Sequence, residues 1–162
     1  MPSEAPAVVP VAEATREAPT TDALAVSAWD ADVGAALAKF VAASAAIGSL
    51  VAEQAAEVQA AFGHTRDIVQ TAAVCQLPAD GMASPAVAPL LQPLQGSMQR
   101  TVELREKNRG EKALFNHLST VSEGIPALGW IAVEKTPAPY IADMKESAEF
   151  YANRVIKEHK DG

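Results

Sequence analysis

The stretch SLVAEQAAEVQAAFGHTRDIVQTA, residues 49–72, decides the fold. Val51, Ala55, Val58, Phe62, Val69 and Ala72 recur at steps of three, four and seven residues, which gathers them on one side of an α-helix. Glu53 and Glu57, four apart, share a solvated side. Ser49 is placed to cap the first turn through its hydroxyl. The small residues along the stripe let a neighbouring helix come close. The same bias runs through the chain: 34 of its 162 residues are alanine, the best helix former, and only 5% are the aromatic residues that strands favour. An all-α fold of one domain is expected.

Upstream of this helix, Gly48 interrupts the pattern. Before it, Trp29, Val33, Leu37, Phe40, Val41 and Ile47 mark another helical face, and Ser27 with Asp30 has the spacing of a capping box. Residues 1–26 carry Pro2, Pro6, Pro10 and Pro19 without a sustained apolar stripe, the composition of a disordered tail ahead of a bundle domain at 27–162. Downstream, Pro78, Asp80 and Gly81 make a loop. Pro85, Pro89 and Pro93 suit only a helix start, so a third helix settles by Leu90 or Leu94 and buries Leu91, Leu94, Met98 and Val102.

Asn108-Arg109-Gly110 reads as its end, with the glycine taking a left-handed cap. Leu114, Leu118, Val121, Ile125 and Leu128 line a fourth helix that Gly124 and Pro126 kink or divide. Thr136-Pro137-Ala138-Pro139 is the next break. A fifth helix runs from about Tyr140 toward Lys160 on Ile141, Met144, Ala148, Tyr151 and Val155. Short connections make these neighbours antiparallel, which gives an antiparallel helical bundle.

Charge and composition exclude several functions. Net charge is −7, with 3 Lys/Arg against 10 Asp/Glu in residues 1–99 and 10 against 10 in residues 100–162. Nucleic-acid binding needs a surplus of clustered cations, which is missing. No run of apolar residues is long enough to span a membrane, and Met1 to Pro10 lacks the basic region of a signal peptide. The lone Cys75 cannot form an intramolecular disulfide and follows Ala72 toward the core; this fits the cytoplasm. His64, His117 and His159 are widely separated and stand in no metal-ligand spacing, so neither a metal nor a cofactor is expected. Gly34, Gly48, Gly63 and Gly96 are isolated, and no phosphate loop or nucleophile elbow is present. Catalysis is not expected.

The informative stretch is Arg105-Glu106-Lys107-Asn108-Arg109-Gly110, followed after two residues by Ala113-Leu114-Phe115-Asn116-His117-Leu118-Ser119. Read as residues, it is either a basic helix terminus complementing the helix dipole or a binding epitope, because arginines on a rigid turn recur at interfaces. LREKNRG at Leu104–Gly110, LFNHLSTVSE at Leu114–Glu123, ALGW at Ala127–Trp130, PAPY at Pro137–Tyr140 and FYANRVIKEHKD at Phe150–Asp161 resemble the N-terminal helical domain of the cyclase-associated protein family. The family pattern has phenylalanine where Leu104 stands.

The resemblance implies a six-helix fold of which five helices are visible here, leaving part of an apolar face without its partner. It also implies an actin-binding module that acts with cofilin at filament pointed ends, without enzymatic chemistry, and a possible link to adenylate cyclase. Arg105, Lys107, Asn108 and Arg109, beside Phe115 and Asn116, are the candidate actin contacts, with Lys157 and Lys160 brought to the same pole. Pro137, Pro139 and Tyr140, at the opposite pole, are a second candidate. The alternative functions are an adaptor or oligomerisation bundle completed by a partner helix, and a small-ligand or lipid carrier using the open groove.

Overall fold

The computed structural model describes residues 21–160, and every regular element in that span is helical. Helix α1, Thr21–Trp29, passes through a single π-helical turn, Asp30–Gly34, into α2, Ala35–Ile47. Then come α3, Ser49–Val74; α4, Ala88–Lys107; α5, Phe115–Gly124; and α6, Pro137–Glu158. Short 3-10 segments occupy Gly81–Ala83 and Ile125–Ala132. With α1 and α2 taken as one rod, and α5 with its 3-10 extension as another, the described residues form five rods. Each packs on its chain neighbours, as an up-and-down bundle requires: α2 on α3, α3 on α4, α4 on α5 and α5 on α6.

Order begins earlier than the sequence pattern suggests. Residues 21–26, expected in the tail, are helical, and Ser27 lies inside α1, where it caps nothing. Asp30 accepts two hydrogen bonds from Arg66, at 2.6 and 2.7 Å, and so ties the π-helical turn to α3. The rest of the proposed tail, residues 1–20, lies outside the described residues. The break at Gly48 is as expected; its φ of 156° and ψ of 170° lie in a region that side chains disfavour. Ser49 makes no side-chain cap.

The core is centred on Val58, Ala61, Ile68, Leu94, Ile125 and Leu128, with Leu37, Phe40, Phe62, Leu90 and Val121 packed against it. Fully burying each large aliphatic side chain contributes about 1.5–3 kcal/mol. The α3 stripe holds at Val51, Ala55 and Val58, which are buried, and at Phe62, packed on the core; the buried face also takes in Gln54, Ala61, Thr65 and Ile68, whereas Ala72 is exposed. Cys75 is exposed as well, because α3 ends at Val74 and the chain turns into extended backbone there. Ile47, at the end of α2, is 49% exposed.

A polar seam holds α3, α4 and α5 together. The two protons of the Gln54 amide nitrogen are shared among three acceptors, the Thr101 carbonyl at 3.0 Å, the Leu118 carbonyl at 3.1 Å and the Ser122 hydroxyl at 3.1 Å. The Thr65 and Thr101 hydroxyls donate to the carbonyls one turn back, Ala61 and Ser97. Buried hydroxyls satisfied this way cost little and let the helices approach closely.

Helix α4 starts at Ala88, ahead of the expected Leu90, and carries Pro93 in its interior. Gly110 does not take the expected left-handed cap; Asn108 ends the helix at φ −113°, ψ 27°. The division of the fourth rod at Gly124 and Pro126 is as expected. Pro137 and Pro139, expected in a break, form the first turn of α6, where a missing amide proton costs nothing.

Candidate functional site

The α4–α5 turn and the end of α6 meet at one pole. Lys107 closes α4 and is 71% exposed; its Nζ reaches Glu103 at 3.1 Å, and that hydrogen bond, with another from Gln99, holds the Glu103 carboxyl below the usual range. Arg109, in the turn, is 67% exposed and pairs with Glu106. Such exposed pairs exchange readily with other partners, because each contributes only about 0–1 kcal/mol. Lys107 and Arg109 therefore form an exposed charged edge whose glutamate partners can be exchanged.

Their two neighbours in the motif play inward roles. The Arg105 side chain is only 17% exposed, and its guanidinium binds Glu123 of α5 at 2.7 Å and Glu106 at 2.8 Å. It staples α4 to α5. The Asn108 amide donates to the Leu104 carbonyl at 2.8 Å, which finishes α4. Arg105 and Asn108, expected as contact residues, are thus turned to the fold.

Across the pole, Phe115 packs edge-on against Tyr151 of α6 with centroids 6.3 Å apart, so it too serves packing. The Asn116 amide donates to Glu158 at 2.7 Å, and Asn116, Arg154, Lys157 and Glu158 line one open notch. The expected approach of Lys157 to Asn116 is present. Pro137, Pro139 and Tyr140 stand at the far end of α6: seventeen residues at 1.5 Å each put Tyr140 roughly 26 Å from Lys157. The Tyr140 hydroxyl donates to the Pro126 carbonyl at 2.8 Å and lies 2.7 Å from where a Cβ at Gly129 would sit. It clamps the 3-10 segment, and Pro139 is exposed beside it.

Sequence spacing concealed one pairing. His117, at the start of α5, and His159, just past α6, bring their rings to 5.5 Å. Burial, and then the neighbouring His159, lower the His117 pKa from its ordinary 6.5; Glu158 and the Ala113 backbone oppose the shift. Only the packing of α5 on α6 brings the two together. Among the described residues, no group of three or more His, Cys, Asp or Glu is placed to hold a metal ion, and no helix is long and apolar enough to cross a membrane.

Residues 29–162 match the family model described as CAP, N-terminal domain. The chain belongs to the CAP N-terminal domain family. It is 42% identical over 136 residues to adenylyl cyclase-associated protein 1 of Homo sapiens, covering 84% of this chain and 28% of that protein. It is 40% identical over 135 residues to the adenylyl cyclase-associated protein of Schizosaccharomyces pombe, covering 83% of this chain and 24% of that one. The chain therefore spans about a quarter of the length of these CAP relatives. A crystal structure of the N-terminal domain of CAP, reported to indicate variable oligomerisation, superposes with a TM-score of 0.78 at 33% identity, over 85% of this chain and 71% of that one. The N-terminal domain of CAP from Dictyostelium discoideum gives 0.75 at 33% identity, over 82% and 73%.

Proposed function

We propose that this chain is a cytoplasmic actin-binding module which, with cofilin, promotes subunit loss at filament pointed ends. The observation that carries this reading is the CAP N-terminal domain match across residues 29–162. The exposed side chains of Lys107 and Arg109 support it, since their solvent-exposed pairs with Glu103 and Glu106 exchange readily for carboxylates of an acidic filament. Such a module makes and breaks no bond. It acts by binding one geometry of the terminal subunit more tightly than another, which shifts that subunit toward weaker lattice contacts. A link to adenylyl cyclase, carried in the relatives' name, belongs to the same proposal.

The test is binding to cofilin-bound ADP-actin by wild-type protein and by a Lys107→Ala/Arg109→Ala variant. Wild-type binding, weakened about tenfold in the variant, is expected; equal binding by both would remove this edge from the contact.

The open apolar face favours a second reading, an adaptor bundle completed by a helix from another chain. Val33, Leu37, Phe40, Phe62, Val121 and Leu128 line a trough of about 540 Å³ between α2 and the fourth rod. Sedimentation across a concentration series separates the two: a compact monomer at all concentrations argues against the adaptor.

A further inference from the structure

Among the cations of this pole outside Leu104–Gly110, Arg154 is the one held against aromatic rings. Arg154 is exposed on α6, and among the described residues it pairs with no carboxylate. It is nonetheless held in place. Its Cζ lies 4.3 Å from the centroid of the Phe150 ring, one turn back, and 5.8 Å from that of Tyr151. Phe150 is itself braced edge-on by Tyr151, at 5.1 Å, and Tyr151 by Phe115 of α5, at 6.3 Å. A guanidinium lying over an aromatic face keeps its N–H edge free while losing rotamer freedom.

The chemistry around that edge is specific. Arg154 lines the notch with Lys157, Asn116 and Glu158, and the Glu158 carboxylate already accepts the Asn116 amide. Two cations thus face the notch against one carboxylate, which leaves it net positive. Beside them Phe150 stays 55% exposed, a large apolar surface that water does not favour. A planar fork of donors next to a bare aromatic ring matches a carboxylate side chain carried on a partly apolar protein segment, since arginine binds carboxylates through paired hydrogen bonds.

We propose that Arg154, backed by Phe150 and flanked by Lys157, is a docking notch for an acidic side chain of the actin subunit. This rests on the actin reading above and extends the contact from the α4–α5 turn onto α6. Arg154 fixes the orientation of the bound subunit, because a planar fork, unlike the point charges of Lys107 and Lys157, accepts a carboxylate from one direction only.

Two measurements decide it. In the first, an acetylated hexaglutamate peptide is titrated into the protein while the Arg154 Nε–H and Asn116 amide NMR signals are followed. Saturable shifts are expected, and they should vanish in Arg154→Gln. No shift, or an equal shift with inorganic phosphate at matched charge, overturns the notch as a carboxylate site. In the second, binding to cofilin-bound ADP-actin is compared for wild type, Arg154→Gln, Arg154→Lys and Phe150→Leu. Arg154→Gln should bind about tenfold more weakly, the loss of one charge-assisted hydrogen-bond pair. Arg154→Lys should not restore binding, and Phe150→Leu should fall between. Unchanged binding by Arg154→Gln overturns the inference and leaves the actin reading standing. A wild-type protein that binds no actin while the peptide still shifts Arg154 removes the actin reading and, with it, the assignment of the notch to actin.

Discussion

Four residues within Arg105–Arg109, at the α4 terminus, divide their labour. Lys107 and Arg109 offer charge to solvent, whereas Arg105 and Asn108 serve the fold. Arg105→Ala should cost about 1–3 kcal/mol, because it removes two charge-assisted bonds and leaves Glu123 of α5 without its partner. Lys107→Ala should stay within about 0.5 kcal/mol. Urea unfolding followed by circular dichroism measures both, and equal effects would contradict the division. Gln54 is the sharper case in the core. Gln54→Leu should lose about 1–3 kcal/mol by the same measurement, since the Leu118 carbonyl and the Ser122 hydroxyl lose a buried side-chain donor, while the Thr101 carbonyl keeps the Ser122 hydroxyl at 3.3 Å. None of this was legible one residue at a time. Leu104–Gly110 announces a basic helix end, but which of its side chains turns inward depends on Glu123, a residue of the next helix.

At the scale of elements, the periodicity located every rod and misjudged its edges. The breaks at Gly48 and Gly124 were readable because they change backbone preference locally. The polar part of the buried α3 face was not readable, because Gln54 and Thr65 count as polar in any stripe yet are buried by partners on other helices or by their own preceding turn. Prolines marked helix starts correctly, but their tolerance in a first turn moved the α6 boundary back to Pro137.

Two predictions belong to this scale. Gly129→Ala should weaken the contact between the 3-10 segment and α6 by about 1–3 kcal/mol, because its Cβ would meet the Tyr140 hydroxyl at 2.7 Å. Tyr140→Phe should relieve part of that clash in the double variant, and unfolding of the single and double variants checks it. The α5–α6 contact should also sense pH. His117 resists protonation in the folded state, so the unfolded chain takes up the proton first. Its contribution is full above the ordinary pKa of 6.5, declines as pH falls through that value, and levels off below the lowered folded pKa. The urea midpoint should therefore drop from about pH 7.5 to about pH 5.5, and His117→Gln should flatten that part of the curve. An identical slope in the variant would place the sensitivity elsewhere.

Over the whole molecule, an acidic chain gathers Lys107, Arg109, Arg154 and Lys157 toward one end of a bundle and leaves an apolar trough along one side. The all-α class and the antiparallel order were legible from alanine content and stripe spacing, since helix propensity and amphipathicity act locally. The convergence of Asn116, Arg154 and Lys157 was not, because it depends on α5 and α6 packing with their ends in register. The account as a whole stands on that pole meeting the end of a filament. Its most direct test follows single cofilin-decorated filaments with free pointed ends, and records their shortening rate with saturating wild-type protein or with Lys107→Ala/Arg109→Ala. Faster shortening is expected with wild type and a rate near that of cofilin alone with the folded variant; equal acceleration by both, or none by either, would rule out this pole as the filament contact.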